Sequence, residues 1–155
     1  MPGVDMRVAE ADAEPARRLM SDYLDELGVR QAGSFDRARY VDADPAEFEP
    51  PAGVLLIAYV DEQPVACGGV RVIAPGLVEI KRMYVAPSAR GRGMGRTLLR
   101  ALEAAAVDLG CDRARLDTAA SFTEAVALYR SAGYTDIADY NGNPHATVWM
   151  ERRLS

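Results

Sequence analysis

Histidine is nearly missing from this chain: His145 is the single one in 155 residues, beside two cysteines, one tryptophan and three phenylalanines. One histidine and the separated Cys67 and Cys111 cannot build a metal site, so no metal is expected. Serine- and cysteine-nucleophile schemes have only His145 to serve as their base. The cysteines show no paired spacing, which excludes a disulfide framework and predicts two reduced, buried or half-buried thiols. No apolar run approaches the length that spans a bilayer, and Met1 to Asp5 has neither a basic nor an apolar leader region. A cytoplasmic location with no membrane partner is the expectation. Positive charge is also short, with 18 Lys and Arg against 23 Asp and Glu and a net charge of -5. The basic residues gather between Lys81 and Arg100 and are not spread along a face, which argues against a nucleic-acid partner and for a bound anion. Apolar residues make up 49% and charged residues 26%, ordinary globular values. With no repeat or linker, a single domain over residues 1–155 is expected.

Periodicity supplies the elements. Val4, Met6 and Val8 alternate with polar residues as an opening strand, and an acidic helix follows from about Ala11 to Leu27, with Gly28 as its stop. The pattern is poor from Val29 to Pro51, with one short helix expected around Ser34 to Tyr40. Val54–Val60, Val65–Ile73 and Leu77–Val85 read as strands joined by the turns Asp61–Pro64 and Pro75–Gly76. Leu98, Leu99, Leu102, Ala105, Ala106 and Leu109 recur at helical spacing, and Gly110 sits where a helix stop belongs. A strand at Arg113–Thr118, a helix and two further strands, the last from about Ala146 to Glu151, complete the chain. Antiparallel hairpins followed by a strand-helix-strand unit make an α/β fold, a mixed sheet flanked by helices.

The segment Glu79-Ile80-Lys81-Arg82-Met83-Tyr84-Val85-Ala86-Pro87-Ser88-Ala89-Arg90-Gly91-Arg92-Gly93-Met94-Gly95-Arg96 is the most informative. A strand ends near Pro87, and three glycines let several backbone N–H groups point into one concavity. The next helix adds its free N-terminal amides and positive dipole end. Arg90, Arg92 and Arg96 add permanent charge, which suits a pyrophosphate. The Walker pattern fails, because Gly95 is followed by Arg96-Thr97, and the dinucleotide pattern fails on the spacing Gly91-x-Gly93-x-Gly95.

What matches is Arg90-Gly91-Arg92-Gly93-Met94-Gly95 as a Gln/Arg-x-x-Gly-x-Gly/Ala signature, followed by Ala125-Val126-Ala127-Leu128-Tyr129-Arg130-Ser131-Ala132-Gly133-Tyr134 as an Ala-x-x-Leu-Tyr-x-x-x-Gly-Phe/Tyr block. The chain thereby resembles the GNAT superfamily of acyl-CoA-dependent N-acyltransferases. The resemblance implies a central, mostly antiparallel sheet splayed in its middle, and direct transfer from acetyl-CoA to a primary amine, with a small molecule as acceptor. The amides of Gly91, Arg92, Gly93, Met94, Gly95 and Arg96, with Arg90 beside them, would hold the pyrophosphate. The backbone of Met83, Tyr84 and Val85 would pair with the pantetheine arm, with the Met83 amide as oxyanion donor.

The family's tyrosine at the place of Tyr129 is its general acid, although Phe122, Ala125, Val126 and Tyr129 also form a core-like apolar stripe. Phe122 stands where many relatives carry Asn. Glu79 matches the carboxylate used as base by the histone-acetyltransferase branch, against the plainer reading of a glutamate paired with Lys81 or with a cation of a neighbouring strand. It shares strand parity with Met83 if no bulge intervenes. Four strand residues span roughly 13 Å, so a water relay is required. Tyr40, Asp117 and His145 are further base candidates, while Lys81, Arg82 and Arg100 read as surface or rim charges. The acceptor pocket is expected from the acidic first helix, the Val29 to Pro51 loop and the segment Tyr140-Asn141-Gly142-Asn143-Pro144-His145; Asp22, Asp25, Glu26, Asp36, Asp42 and Asp44 suggest a cationic acceptor, against the plainer reading of solvated acidic faces. Two other functions fit the same cradle: a non-enzymatic acyl-CoA sensor, and a protein or peptide N-acetyltransferase. A homodimer through the last strand is also compatible with the sequence.

Overall fold

The computed structural model describes residues 3–30 and 44–154. The expected helix at Ser34 to Tyr40 lies outside them. Seven strands form one sheet: β1 (Val4–Ala9), β2 (Gly53–Val60), β3 (Gln63–Ala74), β4 (Leu77–Val85), β5 (Arg113–Thr118), β6 (Thr135–Ile137) and β7 (Val148–Arg153). Their spatial order is β1-β2-β3-β4-β5-β7-β6, and every pairing is antiparallel except β4 with β5. A parallel neighbour requires a crossover, here helix α2 (Met94–Asp108). Helices α1 (Ala16–Arg30) and α3 (Thr123–Ser131) follow β1 and β5.

Both faces of the central sheet are covered, which is why β2 is a continuous apolar run. Val54, Leu56 and Ala58 join Leu98, Leu99 and Leu102 of α2 in one core, while Leu55 and Ile57 join Leu19 of α1, Phe48 and Cys67 in the other. That division follows the two-residue period of a strand. Burial pushes the Cys67 thiol up to about 12, so it stays a protonated core residue.

Helix α1 begins later than its hydrophobic pattern suggests. Pro15 lacks an N–H and sits just before the first turn, accepting from Leu19 N at 3.1 Å. The helix also runs through Gly28 to Arg30, because glycine stops a helix only where it turns left-handed, and its φ there is not positive. Gly110, at φ 85°, does act as a stop: Gly110 N donates to Val107 O and Cys111 N to Ala106 O, the pair of bonds that closes a Schellman turn. The last strand lies inside the sheet. β7 is paired with β5 along its whole length and with β6 at Trp149–Glu151, so among the described residues the sheet edges belong to β1 and β6.

Candidate active site

Two features of β4 open the site. Met83 and Arg82 together oppose Gly68 of β3, since Tyr84 pairs with Cys67 and Lys81 with Gly69. The extra residue is a bulge, and Arg82 takes φ 60° to make it. A bulge reverses the alternation, so Met83 and Val85 pack with Ile80 on the α2 side. Glu79 and Met83 therefore face opposite sides of the sheet, contrary to the parity expected of an unbroken strand. The second feature is the end of the parallel ladder: β4 and β5 pair only from Leu77 with Arg113 to Glu79 with Arg115. Beyond that point β5 stays on β7 to Thr118 while β4 departs toward Val85. The sheet splays, and a cavity of about 1250 Å³ opens between the strands and runs to the glycine loop.

The loop fills its expected place at one end. Gly91 and Gly93 have φ 79° and 76°, and a Cβ on either would meet no heavy atom within 4 Å, so both face open space. Gly93 caps α2 without a side-chain acceptor, which leaves the first amides of the helix directed outward. Gly95 has another reason to be glycine: a Cβ there would stand 3.1 Å from Leu128 of α3. The arginines divide. Arg92 is exposed, and Arg96 is hydrogen-bonded to Ser131 Oγ. Arg90 turns away, donating to Val85 O at 2.8 Å and to Glu26 of α1 at 2.6 Å.

Tyr129 lies deeper, 8% exposed, with its hydroxyl 3.7 Å from Met83 Sδ. The Leu-Tyr-x-x-x-Gly-Tyr pattern explains its placement. Gly133, at φ 101°, lets the Tyr134 amide turn back onto the Tyr129 carbonyl at 3.0 Å, and the two rings meet edge to face at 6.0 Å. Tyr134 is itself fixed by donating to the buried Glu103 at 2.8 Å. Burial, with the charge of Asp117, pushes the Tyr129 phenol up to about 12, so it remains protonated.

Glu79 is 1% exposed and surrounded. Oε1 takes Arg71 at 2.8 Å and Lys81 at 3.6 Å; Oε2 takes the Tyr140 hydroxyl at 2.6 Å and Asn141 Nδ2 at 3.0 Å. Burial alone would raise its pKa, but Lys81, the Tyr140 bond, Arg71 and Asn141 together outweigh it and hold the carboxyl below its ordinary range. The segment expected to help build the acceptor pocket does line the cavity from Asn141 to His145, and within it Asn141 is a hydrogen-bonding hub whose role the sequence did not single out. It donates also to Asp117, and it accepts from Trp149 Nε1 at 2.9 Å and from Asn143 N at 3.1 Å. Asn-Gly-Asn is an ordinary turn signal, and nothing local says that it closes over β4 and β5. His145 and Asp117 line the cavity with Asn141. Of the acids expected to favour a cation, Glu26 is paired with Arg90 and Asp44 caps a 3-10 turn through Ala46 N at 2.9 Å. Tyr40, Asp36 and Asp42 lie outside the described residues.

The model of the Acetyltransferase (GNAT) family matches residues 16–134. The chain belongs to this family. An uncharacterized N-acetyltransferase of Schizosaccharomyces pombe is 34% identical over 149 residues, 93% of this chain and 90% of the relative. Among solved structures, an acetyltransferase from Streptococcus agalactiae superposes with a TM-score of 0.82 at 18% identity, covering 99% of each chain. The PaiA N-acetyltransferase from Thermoplasma acidophilum, solved with coenzyme A, gives 0.73 at 16% identity over 96% of this chain and 99% of its own. At such identities these structures speak to the fold. The GNAT protein described here is an acetyl-CoA-dependent acetyltransferase.

Proposed function

We propose that this GNAT enzyme transfers the acetyl group of acetyl-CoA directly to the primary amine of a small molecule. One observation carries the reading: β4 leaves β5 beside the glycine loop, and the protonated Tyr129 hydroxyl stands at Met83 on that opened edge. The residues present fit the cosubstrate, because the loop directs free amides into space that a side chain at Gly91 or Gly93 would enter.

Bound acetyl-CoA supplies the activated acyl group. Gly91 to Arg96 hold the pyrophosphate with Arg92, and the open backbone edge of Met83, Tyr84 and Val85 aligns the pantetheine arm like an added strand. Arg90 donates to Val85 O and so already satisfies one acceptor of this edge. The amine nitrogen forms its bond to the acyl carbon, and the Met83 amide stabilises the oxyanion. The C–S bond then breaks, and Tyr129 donates to the departing sulfur. A phenol near 12 lies above an ordinary thiol, at about 8.5, so the hydrogen bond to the developing thiolate matters more than early proton release. The amine must shed a proton. Glu79 is ionised but does not itself line the cavity, so its part is the end of a relay reached past Asn141 or Lys81, with Asp117 the carboxylate nearer the acceptor.

The test is acetyl-CoA-dependent thiol release over polyamines, aminoglycosides, amino acids, arylamines and short peptides, with a calorimetric CoA titration alongside. Turnover of a small amine is expected. Turnover of peptides alone would replace the acceptor class, and CoA binding with no turnover anywhere would favour the sensor.

A further inference from the structure

Arg82 stands apart from the other cations of the cavity wall. Arg71 is held by Glu47 at 2.6 Å and by Glu79, Lys81 has Glu79, and Arg90 has Glu26. Among the described residues, no carboxylate lies within ion-pair distance of the Arg82 guanidinium. The bulge that opens the site also presents this side chain. Arg82 adopts φ 60°, a left-handed conformation that arginine rarely takes, and its backbone carbonyl is held by the Cys67 thiol at 3.6 Å. Its guanidinium stacks over the Phe48 ring, 4.7 Å from the centroid. The residue is half-buried and lines the cavity next to Met83. Burial lowers its pKa and the charge of Arg71 adds to the fall, while Cys67 and Glu47 oppose it. A guanidinium partly taken out of water, oriented by an aromatic platform and short of a counter-ion, is suited to an incoming anion with two parallel acceptors.

We infer that Arg82 binds a carboxylate of the acceptor, so that the amine substrate belongs to the class of amino acids. This rests on the acetyltransferase reading above. The position supplies the geometry. Arg82 adjoins the residue whose amide serves the reacting carbonyl, so an amine and a carboxylate only a few bonds apart can occupy the two places together. Two acids of the cavity wall do not compete for the amine, since Glu26 is paired with Arg90 and Glu47 with Arg71.

The experiment titrates CoA into the protein, then matched products into the enzyme–CoA complex: N-acetylated glycine, alanine, methionine, phenylalanine and glutamate, each against its carboxamide. At least one acid is expected to bind tenfold or more tightly than its amide. Arg82→Gln removes the preference and Arg82→Lys restores part of it, while CoA affinity stays at the wild-type value in both. Equal binding of acids and amides, or of neither while CoA binds, overturns the assignment, as does a preference that survives in Arg82→Gln. The wild-type comparison stands even if a variant fails to fold. Failure of CoA itself to bind would overturn the acetyltransferase reading as well, and the first titration tells the two apart.

Discussion

Tyr129 owes its position to groups other than its hydroxyl. The ring packs on Tyr134, the carbonyl is tied to the Tyr134 amide, and the hydroxyl meets the thioether of Met83. A thioether is a weak acceptor, so losing this bond costs little, about 1 kcal/mol or less. Tyr129→Phe is therefore expected to fold and bind acetyl-CoA as the wild type does, while kcat falls roughly a hundredfold, within the usual contribution of a positioned proton donor. Stopped assays of thiol release beside a CoA titration check this, and an unchanged kcat would remove Tyr129 from the chemistry. Glu79 is the opposite case, since its carboxylate binds four partners from three parts of the chain. Its pKa is lowered in the folded protein, so its ionised form contributes stability above the ordinary carboxylate range, and that contribution is lost as pH falls through the lowered value. Glu79→Gln keeps the shape but loses the charge facing Arg71 and Lys81. It is expected to melt lower than wild type at pH 7, with the difference shrinking toward pH 3. If Glu79 is also the end of the proton relay, the acid limb of the kcat/KM profile moves in this variant, which a purely structural carboxylate would not cause.

The strand, loop and helix around Gly93 test the cradle as a unit. Gly93 has φ 76° and ψ 12°, a region that aspartate tolerates better than most residues, and its Cβ would meet nothing. Gly93→Asp is thus expected to stay folded yet place a carboxylate where a pyrophosphate must sit. Calorimetry should show CoA affinity reduced at least a hundredfold at an unchanged circular dichroism spectrum; retained affinity would refute the cradle. These elements were legible because their signals are local. Two-residue alternation gave β4 as Leu77 to Val85, the glycines gave the loop, and Leu98, Leu99 and Leu102 gave α2. The bulge was not legible, because Lys81-Arg82-Met83 contains no glycine to announce a positive φ, and with it the facing of Met83 and the burial of Arg82 were missed. The segment from Asn141 to His145 was legible as pocket lining, but the bonding role of Asn141 within it was not, for a different reason. Asn141 reaches Glu79 and Asp117 across 62 and 24 residues of sequence, and no periodicity encodes such closure. Helix α1 was displaced at both ends because Pro15 and Gly28 act according to their place in the turn, which composition does not specify.

The whole molecule is acidic, yet its cosubstrate is expected at a basic loop, and ligand binding should therefore be visible in both stability and salt response. The two cores meet at β2, β3 and β4, which pack on α1 from one side and on α2 from the other. The loop at the head of α2 is continuous with this framework through β4, so occupying it stabilises the cooperative unit. For a ligand that binds only the folded state, saturation at one hundred times Kd adds about 2.7 kcal/mol. In a chain of this size each kcal/mol raises Tm by roughly 2–4 °C, so acetyl-CoA at that level should raise it by about 5–10 °C. Arg92 is exposed at the loop, and exposed charges are screened over a Debye length of about 10 Å at 0.1 M salt and about 3 Å at 1 M. The rise in Tm should therefore shrink between 0.05 and 1 M salt, roughly speaking, as the charge contribution is screened, leaving the part due to the pantetheine arm on β4. Differential scanning fluorimetry across that range measures it, with Gly93→Asp as the control whose rise should be about 2 °C or less at any salt. A shift that is independent of salt in the wild type would mean that backbone amides and strand pairing hold the cosubstrate without help from the arginines.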